Sequence, residues 1–178
     1  MVCNKRSGAL LQRGDTNMPD YSLLCAQMRS LAEGEAHWLP VLANASALIM
    51  EELDDLNWAG FYLTDATTAE PSLLLGPFQG KVACVRIAYG KGVCGTAAAL
   101  DQTQLVPDVH AFPGHIACDS ASNSEIVVPL HARGAVVGVL DIDSPSLARF
   151  DERDREGLEE LVRTIEVCAA LDTLPLGR

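Results

Sequence analysis

Three carboxylates and six cysteines are the residues of this sequence whose types and spacing could do chemistry. Glu125 opens the run EIVVPLH, and Asp141 and Asp143 lie near the end of AVVGVLDIDS. Both runs read as strands, and Ala132-Arg133-Gly134 between them fits a three-residue hairpin loop with Gly134 in the left-handed conformation. Pairing His131 with Ala135 puts Glu125 opposite Asp141. Asp143 is two residues along, so all three acids share one face. Like charges that close repel. Such a cluster could keep one carboxyl protonated near neutral pH, or hold a cationic group. A solvated face with three ordinary acids is the plain alternative, but acids ending an otherwise buried-looking strand argue against it.

The cysteines stand at 3, 25, 84, 94, 118 and 168. A chain of 178 residues can hold a core without disulfide staples, so the six need not form a framework. No CxxC pair occurs, which excludes a zinc ribbon and a thioredoxin-type motif. His110, His115 and Cys118 lie close in sequence, but their spacing fits no zinc template and a fourth ligand is missing. No metal is expected. Cys118 sits in a long polar loop, Pro107 to Ser124, where a thiol is poor core material. Cys84 alternates with Val82, Val85 and Ile87 and by itself reads as a strand filler. Cys94 stands just before a helix, whose N-terminus would lower its pKa. Trp58 and Tyr62 share a face of one strand, as core aromatics commonly do.

The elements that must position these residues follow from periodicity. Helical spacing of apolar residues marks Tyr21 to Leu31, His37 to Leu53, and an amphipathic run from Asp151 to Leu171 that includes Cys168 as a core filler. Strands are expected at Asn57 to Thr64, Ser72 to Leu75, Ala83 to Ala88 and residues 104 to 106, besides the hairpin pair. Gly76-Pro77 and the Gly80 region read as the turn between the second and third strands. Gly90 to Ala99 (GKGVCGTAAA) lacks the spacing of a Walker A loop or GxGxxG. It reads as a tight turn with positive φ at Gly92 or Gly95, followed by an alanine-rich helix. Residues 1–18 have no period and read as a flexible tail, with a single domain over 19–174. The order implies an α+β fold, an antiparallel sheet with helices on one face.

Composition narrows the function. The 24 acidic residues exceed the 13 basic ones, giving a net charge of −11, which argues against nucleic acid or an anionic membrane as partner. No run approaches the length of a membrane span, and nothing resembles an export signal, so a cytoplasmic protein is expected.

The chain resembles the free methionine-(R)-sulfoxide reductases, stand-alone GAF domains, from about residue 21 to 172. The matching segments are NWAGFY (57–62), LGPFQG (75–80), GVCGTA (92–97), VPDVH (106–110), PGHIACD (113–119) and GVLDIDS (138–144). The resemblance implies a GAF domain with a central antiparallel sheet of about six strands. It implies Cys118 as nucleophile, Cys84 as principal resolving thiol and Cys94 as auxiliary. Glu125 and Asp143 become catalytic, while Asp141, Trp58 and Tyr62 bind substrate. The implied reaction reduces free L-methionine-(R)-S-oxide through a Cys118 sulfenic acid and a disulfide. No cofactor is implied beyond an external dithiol such as thioredoxin, and a homodimer through the helical face is compatible with the fold. A GAF sensor that binds a small molecule without catalysis is the alternative.

Overall fold

The computed structural model describes residues 19–65, 67, 70–114 and 121–174. Helices α1 (Tyr21–Leu31) and α2 (Trp38–Glu52) lead into strands β1 (Trp58–Asp65), β2 (Ser72–Gly80) and β3 (Arg86–Ala88). Helix α3 (Gly92–Leu100) and strand β4 (Gln104–Val106) follow. The hairpin β5 (Ser124–Ala132) and β6 (Ala135–Ser144) and helix α4 (Glu152–Cys168) complete the fold. The strands form one antiparallel sheet in the order β3-β2-β1-β6-β5-β4. Six antiparallel strands and four helices agree with the α+β reading.

Local chemistry explains where the helices begin. Asp20 caps α1 by accepting from the Leu23 amide at 3.0 Å. A reciprocal capping box between Asp151 and Asp154 opens α4, worth about 1 kcal/mol for the cap alone. Asp154 also accepts from the Tyr21 hydroxyl at 2.6 Å, joining α1 to α4. The last turn expected of α4 is instead a short 3-10 segment, Leu171–Thr173, after Ala170 enters the left-handed region.

Two apolar layers flank the sheet. On one face Met28, Leu42, Ile49, Leu158, Leu161 and Ile165 of α1, α2 and α4 meet Phe61, Ile126 and Leu140. The expected one-sided cover stops there, because α3 packs on the opposite face through Val93, Cys94, Ala97 and Ala98, against Tyr62, Val127 and Val139. Small residues let α3 approach closely. A Cβ on Gly95 would lie 2.3 Å from the Ala88 carbonyl oxygen, so this glycine is needed for contact, whereas Gly92 has the positive φ of 60°.

Strand β2 departs from the expected turn at Gly76-Pro77 and runs on to Gly80. Gly76 and Pro77 together oppose Phe61 of β1, which makes the pair a bulge. Proline is tolerated in a sheet at such a place, where a ladder bond is already missing.

Candidate active site

The face turned toward α3 carries the carboxylates. Asp143 pairs with Glu125 on one side and Trp58 on the other, and Asp141 lies between Val127 and Gly60. The expected pairing of Glu125 with Asp141 is therefore off by two residues, and the hairpin shows why. Its loop is only Arg133-Gly134, both with positive φ (52° and 75°), as a type I′ turn requires. Ala132 pairs with Ala135, and Val137 then has no partner on β5. Without that bulge Glu125 would oppose Ile142 and point into the other layer. One extra residue keeps the three acids on one face.

Glu125 and Asp141 are each 6% exposed, so the solvated-face reading does not describe them. The valines of this hairpin are divided between the layers, with Val127 and Val139 beside the acids. Burial raises Glu125 well above the usual carboxylate value, and the charges of Asp141 and Asp143 add to this. Burial also raises Asp141, to about 6, although hydrogen bonds from Cys94 and Glu125 favour its charged form. Burial and mutual repulsion thus make the pair hold a proton at a pH where an ordinary carboxyl has lost it, with Glu125 raised the further of the two. The Oδ1 atom of Asp141 is buried without a hydrogen-bond partner among the described residues.

Cys94, the third residue of α3, lies in this cluster with its Sγ 3.9 Å from Oε1 of Glu125. A helix N-terminus would lower a thiol pKa, but here burial, then Asp141 and Glu125, push it well above the usual value. The magnitudes agree with that outcome. A helix end contributes up to about 2 kcal/mol, whereas taking an ion out of water costs several. Cys94 is a thiol, not a thiolate. With Glu125 and Asp141 it also offers a cation one sulfur and two oxygens, all within 4.8 Å of one another.

An aromatic stack lies beside the acids. Trp58 stacks on Tyr62 at 5.9 Å between centroids and on Phe78 at 5.3 Å. Such pairs contribute about 0.5–1.5 kcal/mol beyond area burial. Gly60 makes the stack possible, since a Cβ there would stand 2.3 Å from Phe78 Cβ and 2.8 Å from Trp58 Cη2. Phe78 and Gly60 were not singled out by residue type. Their signal was the strand that continues through Gly76-Pro77.

Cys84 is not in a strand, as its alternation with Val82 and Val85 suggested. Strand β3 begins only at Arg86, and residues 81–85 form a loop in which Val82 and Val85 are exposed while Ala83 and Cys84 pack against the layer under α3. The aromatics hold this loop by its backbone. Trp58 Nε1 donates to the Lys81 carbonyl at 3.1 Å, and the Tyr62 hydroxyl donates to the Cys84 carbonyl at 3.0 Å. Cys84 is disulfide-bonded, while Cys25, Cys94 and Cys168 are free thiols. Cys118 and His115 lie outside the described residues. His110 meets Asn123 at 3.2 Å.

Comparison with known proteins follows the same lines. The GAF domain family model matches residues 41–168. The free methionine-R-sulfoxide reductase of Escherichia coli is 55% identical over 146 residues, covering 82% of this chain and 86% of that protein. The Saccharomyces cerevisiae protein of the same name is 50% identical, over 80% and 81% of the two chains. The Neisseria meningitidis free methionine-R-sulfoxide reductase, solved with its substrate, superposes with a TM-score of 0.82 at 43% identity, covering 94% of this chain and 99% of that one. Sheet, buried acids and sequence identity converge, and the chain belongs to the GAF-domain family of free methionine-R-sulfoxide reductases.

Proposed function

We propose that the chain reduces free methionine-(R)-sulfoxide to methionine, with Cys118 as the attacking thiol. Its sulfur attacks the sulfoxide sulfur while a carboxylic acid protonates the leaving oxygen. The protonated oxygen passes from the substrate sulfur to the Cys118 sulfur as the bond between the two sulfurs breaks, so methionine departs with its sulfur reduced by two electrons and Cys118 becomes a sulfenic acid. The Cys84 thiol then attacks that sulfur and releases water, leaving a disulfide. An external dithiol of the thioredoxin type restores both thiols, and Cys94 serves as an auxiliary thiol. A cytoplasmic setting, which keeps such dithiols reduced, suits this cycle.

The observation that carries the reading is the buried Glu125–Asp141 pair with its retained proton. It supplies an acid at a pH where an ordinary carboxyl has none. We assign Glu125 and Asp143 to acid catalysis and Asp141 to substrate binding. The unmatched Asp141 Oδ1 is a place for a donor such as the ammonium of a free amino acid. Trp58 and Tyr62 offer the S-methyl group an apolar wall, where sulfur–aromatic contact adds to burial. The bond at Cys84 supports the disulfide step. A ligand-binding sensor would have no use for it.

Rapid-quench product counts test this. Cys118→Ser is expected to release no methionine. Cys84→Ser is expected to release about one per site and then stall with a thioredoxin-type reductant, since the disulfide such a reductant needs cannot form. Multiple turnover by Cys118→Ser removes it from the nucleophile role.

A further inference from the structure

Beside the disulfide of Cys84 the surface is apolar. Val82 is 88% exposed and Val85 67%, so two branched apolar side chains stand in water on either side of Cys84. Exposed apolar groups scattered singly mean little, but a pair flanking a reducible bond has a context. The loop is not loose. Its backbone is fixed by Trp58 at Lys81, by Tyr62 at Cys84 and by the Leu75 amide, which donates to the Val85 carbonyl at 3.0 Å. The valines are therefore presented on a fixed backbone.

Charge sets the loop apart as well. Residues 71–100 contain no aspartate or glutamate, in a chain of net charge −11. Lys81 and Lys91 are exposed there, and Arg86 pairs with Asp65 at 2.7 Å. An acidic partner is repelled by most of this molecule and not by this segment.

We propose that the Val82–Val85 loop is the docking surface for the protein dithiol that resets the enzyme. The partner is a thioredoxin-type oxidoreductase with an apolar rim around its reactive cysteine and acidic charge beyond it. The inference rests on the reading of Cys84 as the resolving cysteine. Val82 and Val85 seat the partner's rim. The partner's thiolate attacks Cys84 Sγ, forming a mixed disulfide and releasing the other cysteine of the bond as a thiol. The partner's second thiol then attacks its own bonded sulfur and frees Cys84. Two electrons and two protons pass to the enzyme, and the partner leaves as a disulfide.

Two reductants separate docking from chemistry. Turnover of methionine-(R)-sulfoxide by the Val82→Ser/Val85→Ser double variant is measured with dithiothreitol, and with thioredoxin recycled by its reductase and NADPH. The variant is expected to lose about tenfold in kcat/KM for thioredoxin, through KM, as interface truncations above ~1.4 kcal/mol do. The dithiothreitol-driven rate is expected to stay within about twofold, because a small dithiol needs no docking surface. An unaltered KM for thioredoxin, or an equal loss with both reductants, overturns the proposal. Failure of thioredoxin to drive the wild-type chain when dithiothreitol does overturns the choice of partner. Cys84→Ser keeps the underlying reading separate: if it turns over with thioredoxin as the wild type does, the resolving role of Cys84 is lost whatever the valines do.

Discussion

A carboxylic acid donates a proton at neutral pH only when its surroundings hold the proton on, and at Glu125 two effects do so. Burial is the larger, and the charges of Asp141 and Asp143 add to it. Replacing Glu125 by Gln keeps the shape and removes the acid. The methionine-forming step is then expected to slow by roughly 10²–10⁴-fold, the usual worth of a positioned acid. In the wild type that step should fall at high pH, as the raised values of the pair are passed, and at low pH, as the Cys118 thiolate is lost. The two limbs belong to the coupled site. Single-turnover rates across pH check both statements, and an unchanged alkaline limb in Glu125→Gln would falsify the acid role. Stability moves the same way. A carboxyl held neutral in the folded state favours folding below the ordinary carboxylate value, and that contribution is lost as pH rises through the raised one. Glu125→Gln should therefore gain stability relative to the wild type as pH increases, which urea midpoints would show.

At the scale of elements, placement depends on two bulges that periodicity does not announce. The Val137 bulge rotates β6 so that Asp141 and Asp143 share a face with Glu125, and the Gly76-Pro77 bulge carries β2 far enough to bring Phe78 over Trp58. A helix of 3.6-residue period shows itself over many residues, which is why α1, α2 and α4 were legible from apolar spacing alone. The acids were legible as a group because alternation puts side chains two apart on the same face. Their partners were not, since one inserted residue resets a register and depends on the turn chosen several residues away. Cys84 misled for a related reason. Its alternating valines look like a strand pattern, but no neighbouring strand covers them. Gly60→Ala tests the element that carries the aromatics. Its Cβ would meet Phe78 Cβ and the Phe78 backbone, which have no room to withdraw. Destabilisation of about 1–3 kcal/mol is expected, the range for overpacking a closed site. Denaturant titration would measure it, and a neutral result would mean that the strands separate freely at this point.

Across the whole molecule, two helix layers on opposite faces of one sheet must keep a fixed relation if Cys94 of α3 is to stay against Glu125. His131 at the end of β5 joins them. Its Nε2 meets Asp101, the C-cap of α3, at 2.7 Å, and its Nδ1 meets Glu166 of α4 at 2.9 Å. The Glu166 carboxylate also accepts from the His131 amide at 2.8 Å. With a carboxylate on each ring nitrogen, the imidazolium fits this place better than the neutral ring, which has only one N–H to give. Burial lowers the His131 pKa, but the two carboxylates outweigh it and the net shift is upward. Arg155, Glu159 and Arg163 line the same depression. A base held charged in the folded state contributes its full stability below the ordinary value of 6.5 and loses it as pH rises through the raised value. Glu125 and Asp141 lose stability with rising pH too, so the wild type alone cannot apportion the effect. The difference between wild type and His131→Gln can, because the acids are common to both. That difference in urea midpoint should be largest near about pH 6 and shrink toward about pH 9. A constant difference would show that the ring acts as a neutral hydrogen-bonding bridge, with the layers held by packing and by Glu166 on the backbone amide.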